Sequence, residues 1–276
     1  MFSVLILTLN EEKNLPACIA SATGCEDIVV LDSGSTDRTC ELALSLGARV
    51  HRRPFDSFAG QRNHAQHNIF FRNSWVFHLD ADERLTPALI EECLEASEMN
   101  PPVDGCFVAP RMLWQGQWLP RCTDFPAYQA RFVRAPTFEF IQAGHGQREA
   151  PGMRMGRMRH NYLHEMCPQG EEEWLRKHRK YARQEAALAL AQAKLADRPS
   201  WQELFSNSAL QRRRALKALS HTLPLRPAAR FAYQYLLRGG FLDGKPGLEY
   251  CKLLACYEGF ISEEKGRLRR GYYDAK

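Results

Sequence analysis

The run Leu79-Asp80-Ala81-Asp82-Glu83 crowds carboxylates onto the end of an apolar segment. Aspartates spaced Asp-x-Asp at a strand end place hard oxygen ligands where a divalent cation and a diphosphate can meet. The same side chains can instead cap the helix that follows. Asp32 closes a second apolar run, Ile28–Leu31, and Thr8 closes a third, Phe2–Thr8. One acidic strand end can then hold a nucleobase or ribose hydroxyl while the other holds a metal. No G-x-G-x-x-G follows the first strand, and no G-x-x-x-x-G-K-[ST] occurs anywhere. Dinucleotide redox chemistry and P-loop ATP hydrolysis therefore lose support, and Gly34 reads as a turn glycine.

These residues need a scaffold, and the first hundred positions supply one. Strand patterns at Phe2–Thr8, Ile28–Leu31, Ala48–His51 and Trp75–Leu79 alternate with helical spacing over 13–23, from Asp37 to Gly47, over Gln61–Phe71, and from Pro87 to about Glu98. Asp37 is placed to cap its helix, and Pro87 suits a first helical turn. Continuous apolar strands alternating with helices predict an α/β fold, a parallel sheet covered on both faces. Ligands of such sheets bind beyond the carboxyl ends of the strands, where Thr8, Asp32 and Asp80 fall. From Gly105 to about Leu163 the pattern turns to short strands and Gly/Pro-rich loops. After Gly170 it is helical, over Glu171–Ala196, Trp201–Leu219 and Leu248 to about Ile261.

Composition narrows the class. The 276 residues are 45% hydrophobic and 25% charged, which excludes a disordered chain. No uncharged apolar window is long enough to span a bilayer. Met1–Asn10 lacks the basic n-region and cleavage site of a signal peptide and reads as the first strand of a cytoplasmic protein. Nine cysteines without C-x-x-C spacing indicate reduced, mostly buried thiols. Residues 208–276 carry 14 Lys+Arg against 6 Asp+Glu, whereas the rest carries 23 against 26. A basic tail on a near-neutral body faces something anionic.

Several motifs, in order, carry a resemblance: Thr8-Leu9-Asn10-Glu11, Asp32-Ser33-Gly34-Ser35-Thr36-Asp37, Gly60-Gln61-Arg62-Asn63 and Leu79–Glu83. It continues through Phe125–Arg134, Gly144–Glu149, Tyr162-Leu163-His164, Trp174–Tyr181 and Arg230–Gly244. Together they resemble family 2 glycosyltransferases of GT-A fold, and more narrowly the WaaE-like lipopolysaccharide-core and polysaccharide glucosyltransferases. The resemblance implies a GT-A catalytic domain over 1–168, with a nucleotide-binding half to about 100 and an acceptor-binding half over 101–168. A helical C-terminal extension follows over 169–276.

The resemblance also implies roles. Asp32 contacts the uracil or ribose of a UDP-sugar, with Thr8, Asn10, Glu11 and Gly34 in the same pocket. Arg62 reaches the diphosphate or the sugar. Asp82, with Asp80 beside it, faces Mg²⁺ or Mn²⁺, and His164 is a further metal contact. His160 competes with His164, since 160, 162 and 164 share a strand face. A zinc pair of these two histidines lacks a third ligand. Glu165 stands where related chains often carry an aromatic residue. An inverting transferase needs a carboxylate base for the acceptor hydroxyl, and Glu149 and Asp124 are the candidates, each of which can instead pair with an arginine, Arg148 or Arg121. Gln129 and Arg131 share a strand face and either bind the donor or stay solvated.

The basic tail reads as a membrane-surface element or a plain helical appendage, and no nucleic-acid motif is present. The implied partners are a UDP-sugar donor, a lipid-linked or lipopolysaccharide-core acceptor, and an anionic membrane at the inner face of the cytoplasmic membrane. The alternatives are a sugar-phosphate nucleotidyltransferase, for which Thr8–Glu12 lacks a Gly-rich basic loop, and a non-catalytic anionic-surface binding protein.

Overall fold

A computed structural model describes residues 1–99, 102–135, 137–143, 146–195 and 225–271. The helix expected over Trp201–Leu219, with Arg212, Arg213, Arg214 and Lys217, lies outside the described residues, as do Gly144, His145 and Ala196. The chain forms two units, Met1–Trp118 with Asp124–Pro168, and Leu119–Thr123 with Gln169–Lys276.

In the first unit, strands β1 (Ser3–Thr8), β2 (Ile28–Asp32), β3 (Arg49–Arg52) and β4 (Trp75–Asp80) alternate with helices α1 (Leu15–Ser21), α2 (Thr39–Ser45) and α3 (Phe58–Asn68). Strand β5 (Glu83–Arg84) and helix α4 (Pro87–Met99) follow. Then come β6 (Gly105–Val108), β7 (Pro110–Trp114), β8 (Gln117–Trp118) and β9 (Gln129–Arg134). The hairpin β10 (Phe140–Ala143) and β11 (Gly146–Glu149) precedes β12 (Met155–Arg157) and β13 (Tyr162–Glu165).

The main sheet has the order β12-β6-β9-β4-β1-β2-β3. All its pairings are parallel except those of β9, which runs antiparallel to both β4 and β6. Both faces are covered, which is why β1 is apolar without alternation. Val4 and Ile6 pack with Leu15, Ile19, Leu89 and Cys93 from α1 and α4. Leu5, Leu7, Val29 and Leu31 meet Ala65 of α3 and Ile69 beyond it on the opposite face. Phe132 of β9 stacks on Trp75 with ring centroids 4.7 Å apart, tying the antiparallel strand into the core. The chain leaves β1 for β2 and β3 on one side and returns to β4 on the other. The carboxyl ends of β1 and β4 therefore flank a topological switch point, where α/β sheets bind ligands.

Several boundaries differ from the sequence reading, and the helix expected from Leu248 to about Ile261 runs Gly244–Arg269. Helix α3 starts at Phe58 because the Ser57 hydroxyl accepts the Gly60 N–H (3.0 Å), an N-cap. It stops at Asn68 because Ile69 is extended, which releases Phe70 and Phe71 from the helix. Asp37 lies one residue ahead of the N-cap position of α2. It accepts the Thr39 N–H on one oxygen and the Glu12 N–H on the other, so it also ties two loops together.

In the second unit α5 (Glu171–Leu195) packs along α7 (Gly244–Arg269) through Ala182, Ala186 and Ile261. Between them in sequence, α6 (Arg226–Ala232) runs into a π-helical turn, Tyr233–Leu237, and a 3-10 turn, Gly240–Asp243. This knuckle grips the strap Leu119–Thr123. Asp243 Oδ2 accepts the Arg121 and Cys122 N–H groups (3.1 and 2.8 Å). Gln234 Nε2 donates to the Cys122 carbonyl (2.9 Å) and Arg238 Nη2 to that of Thr123 (2.6 Å). All nine cysteines are free thiols.

Gly240 sits in a tight part of the knuckle. A Cβ there would fall 2.7 Å from the Gln234 carbonyl oxygen and 2.9 Å from Cys122 Cβ. Gly240→Ala is accordingly expected to lower stability by about 1–3 kcal/mol, as overpacking does. Gly259→Ala, whose Cβ would meet only Pro227 Cγ at 3.8 Å, is expected to be neutral or to gain about 0.5–1 kcal/mol from helix propensity. Urea unfolding of the two variants checks the contrast, and equal midpoints would refute it.

Candidate active site

At the ends of β1 and β2 two loops are stitched into one rim. Asp32 is fully buried, and its Oδ2 accepts the N–H groups of Gly34 (3.0 Å) and Ser35 (2.9 Å) while Oδ1 accepts the Ser35 hydroxyl. The turn needs Gly34 at φ 103°, a conformation that glycine adopts at no steric cost. Asn10, itself at φ 55°, donates its N–H to Ser35 Oγ and accepts the Thr36 N–H on Oδ1 (both 2.8 Å). The Glu11 N–H donates to Thr39 Oγ1 (2.8 Å), and Glu11 Oε2 accepts from Asn14. Thr8 is buried beside Asp32 in register, with a hydroxyl that has no hydrogen-bond partner among the described residues. Asp32 thus shapes the loop that carries Gly34 and Ser35, and the rim presents loop backbone and the Asn10 segment.

Beyond β4 lies a buried ionic cluster. Arg62, from α3 and 0% exposed, donates from Nη2 to Asp80 Oδ1 (2.7 Å). Arg131 of β9 donates from Nη2 to Asp80 Oδ2 (3.2 Å) and Glu83 Oε1 (2.7 Å), and from Nη1 to the His78 carbonyl (3.2 Å). Glu83 Oε2 accepts the Asp80 N–H (2.8 Å), which closes the turn around Ala81 and Asp82. Arg131 Nε donates to Gln129 Oε1 (3.1 Å), so these two residues do share a face, and Arg131 is buried rather than solvated. Its guanidinium lies 5.2 Å from the centroid of the buried Tyr162 ring.

The electrostatics follow from this packing. Burial raises the Asp80 carboxyl, but Arg62 and Arg131 outweigh it and hold the group below the usual carboxylate range. Glu83 is pushed up to about 7, because burial and the neighbouring Asp80 and Asp82 charges exceed the pull of Arg131. His78, fully buried, is held neutral by burial and by the charges of Arg62 and Arg131. Arg62 keeps Nε and Nη1 buried without a hydrogen-bond partner among the described residues. Those are spare donors on a cation at the switch point.

His164 joins the cluster through a pairing absent from the sequence pattern. The two-residue strand β5 runs antiparallel to β13, which sets His164 opposite Glu83. The Glu165 N–H donates to the Asp82 carbonyl (3.2 Å) and fixes the register. His164 Nε2 is 3.6 Å from Asp82 Oδ2, and Nδ1 is 3.6 Å from Glu83 Oε1. Burial alone would lower this imidazole, but Asp82, Glu83 and Asp80 together hold it at about 9. His160 lies ahead of β13, exposed, with its N–H donating to Glu92 Oε2 (2.9 Å). The structure therefore brings His164, not His160, to Asp82.

Among the described residues no group of three or more His, Cys, Asp or Glu side chains forms a ready metal cage. The cluster explains why: Asp80 and Glu83 spend their oxygens on arginines and on the turn. Asp82 and His164 remain, one hard oxygen donor set and one imidazole, both partly exposed. Two such donors fit a Mg²⁺- or Mn²⁺-sized ion that takes its other ligands from phosphate and water. Glu149 stands opposite Phe140 at the base of the β10–β11 hairpin, and Asp124 is exposed just ahead of Phe125. Among the described residues neither is ion-paired, with Arg148, Arg121 or any other cation.

The fold and this strand-end cluster meet an independent comparison. The family described as glycosyl transferase family 2 matches residues 3–161, more than half of the chain and all of the cluster except Tyr162 and His164. The chain belongs to glycosyltransferase family 2. The lipopolysaccharide core biosynthesis glycosyltransferase LpsC of Rhizobium meliloti is 39% identical over 114 residues, 40% of this chain and 42% of LpsC. An uncharacterized glycosyltransferase of Rickettsia bellii is 37% identical over 91 residues, 33% of this chain and 30% of that one. The matches thus span less than half of either relative. Staphylococcus aureus TarS in complex with UDP-GlcNAc aligns over 98% of this chain and 92% of its own, at 15% identity and a TM-score of 0.44. The mostly parallel sheet, covered on both faces and followed by a helical extension, is the GT-A arrangement expected of a family 2 glycosyltransferase. Membership in this family removes the nucleotidyltransferase alternative.

Sequence reasoning missed Glu83, Tyr162 and His78 as parts of this glycosyltransferase's cluster. Glu83 had a signal, its position directly after Asp82. Tyr162 stood in the Tyr162-Leu163-His164 motif with no role of its own, and His78 read as an ordinary strand residue.

Proposed function

We propose that the protein is an inverting glycosyltransferase that moves a sugar, glucose as the first choice, from a UDP-sugar to a lipid-linked glycan or lipopolysaccharide-core acceptor. The observation that carries this reading is the division of labour at β4: arginines occupy Asp80 and Glu83, while Asp82 and His164, 3.6 Å apart and partly exposed, have no arginine partner. LpsC, a relative over part of its length, is a lipopolysaccharide-core enzyme by name, which supports the acceptor class. The basic second unit would dock peripherally on the anionic inner face of the cytoplasmic membrane, where lipid-linked acceptors are carried.

Asp82 and His164 would hold Mg²⁺ or Mn²⁺, whose bound charge neutralises the departing UDP diphosphate. The His164 imidazole must be neutral to bind a metal, so metal and proton compete there. The rim of Thr8, Asn10, Glu11 and the Asp32–Gly34 turn would receive the uridine, with Arg62 aligning its spare donors toward the diphosphate side. The acceptor hydroxyl loses its proton to a carboxylate as its oxygen attacks the anomeric carbon. The bond to the diphosphate breaks, and its electron pair leaves with UDP.

Glu149 is assigned as that base, with Asp124 as the alternative. Glu149→Gln is expected to lower kcat by about 10²–10⁴-fold with UDP affinity unchanged, since the base acts only on the acceptor proton. UDP-release kinetics with a panel of UDP-sugars and a deacylated lipopolysaccharide acceptor, beside UDP titration, check it. Loss of turnover in Asp124→Asn but not in Glu149→Gln exchanges the two roles. Absence of sugar transfer from every donor would sink the enzymatic reading in favour of a binding protein.

A further inference from the structure

We infer that the π-to-3-10 knuckle of the second unit is a membrane-insertion wedge for anionic bilayers, a deepening that rests on the peripheral docking proposed above. Leu236 is 60% exposed, Leu237 81%, Phe241 51% and Leu242 59%, with Tyr233 exposed beside them. Such a dense cluster of large apolar side chains in water marks an interaction surface. In sequence it occupies ten residues. The π turn bulges Leu236 and Leu237 outward, and the 3-10 turn presents Phe241 and Leu242 next to them. π turns of this kind recur at functional sites.

The knuckle is rigid where it needs to be. Gln234 and Asp243 point inward, buried, and bind the backbone of the Leu119–Thr123 strap. Order at the base with apolar tips outside is the reverse of a frayed helix end.

Charge selects the partner. Between positions 225 and 245 the chain has Arg230, Arg238 and Lys245, the last 3.6 Å from Glu249, against the buried Asp243, while Arg226 is taken up by an ion pair with Glu258. The Arg121 side chain adds another cation, its Nη1 lying 3.9 Å from where a Gly239 Cβ would sit. Apolar tips with Arg121 and Arg238 beside them fit the boundary between acyl chains and anionic headgroups. A second copy of this chain fits poorly, because pairing the patch with itself opposes cation to cation. No helix among the described residues is long and apolar enough to cross a membrane, so the contact is interfacial.

The test is flotation of the full chain with vesicles of phosphatidylglycerol and phosphatidylethanolamine, or of phosphatidylcholine alone. Wild type is expected on the anionic vesicles, with a salt-weakened but persistent fraction. Leu236→Ser/Leu237→Ser should reduce recovery at least about tenfold, since two leucines lose their interfacial burial. UDP binding by the same variant, expected unchanged, reports separately on the glycosyltransferase reading. Hydrogen exchange of the unmodified protein gives a second readout that needs no variant, with slowed exchange over 233–243 only on anionic vesicles. Recovery independent of lipid charge, undiminished flotation of the variant, or protection that rises with protein concentration in the absence of lipid would each overturn the wedge.

Discussion

Arg131→Met is expected to destabilise the protein by about 3–5 kcal/mol, because it strands carboxylates that a buried cation now neutralises. Arg131 is 3% exposed and bonds Asp80, Glu83, Gln129 and the His78 carbonyl at once. Of its carboxylate partners Glu83 is fully buried, so no water replaces the guanidinium when it is removed. A lysine is no substitute, since one ammonium cannot span Asp80, Glu83 and a carbonyl as the planar fork does. Glu83→Gln in the Arg131→Met background should recover part of the loss, which makes the coupling measurable as a double-mutant cycle. Arg38→Met, which removes an exposed pair with Glu41, should leave stability unchanged within measurement. Transfer activity should fall with Arg131→Met even in the folded fraction, because the turn bearing Asp82 loses one of its two anchors. Denaturant unfolding decides the matter: an Arg131→Met midpoint equal to wild type would mean that the cluster is not the support of the site.

The parallel half of the sheet was legible because its strands advertise themselves. Phe2–Thr8, Ile28–Leu31 and Trp75–Leu79 are short apolar runs with carboxylates or a threonine at their ends, and a strand buried on both faces leaves that pattern. Asp80 and Asp82 were legible for the same reason. What they do separately was not, since the sequence cannot show that Asp80 faces two arginines and Asp82 none. Alternation put Gln129 and Arg131 on one face, yet burial of an arginine depends on partners some fifty positions away. The β5–β13 pairing was invisible, because a two-residue strand has no period. It is nonetheless what separates His164 from His160. Helix α3 was misplaced by three residues at each end because Ile69–Phe71 continues an apolar pattern while its backbone is already extended. The knuckle showed itself only as Gly239-Gly240 and a mixture of aromatic residues and arginines. Its grip on residues 121–123 is a contact between segments more than a hundred positions apart.

Asp82→Asn carries the second large effect. It removes the charge of the oxygen proposed to hold the metal while keeping the shape of the side chain, so the fold should survive. Catalysis should fall about 10³-fold or more, the order expected when several kcal/mol of charge stabilisation on a leaving group disappear. Asp80→Asn is the less clean experiment, because it also breaks the pairs with Arg62 and Arg131. The most direct measurement is calorimetric titration of UDP into wild type and Asp82→Asn, each with Mn²⁺ and with EDTA. Metal and nucleotide that share one site must strengthen each other reciprocally, typically by about 5–150-fold. Wild type should bind UDP tighter by that order with Mn²⁺, and Asp82→Asn should bind it equally weakly under both conditions. Wild-type affinity unmoved by EDTA, or a metal effect that survives in Asp82→Asn, would contradict the assignment of Asp82 to the metal and diphosphate.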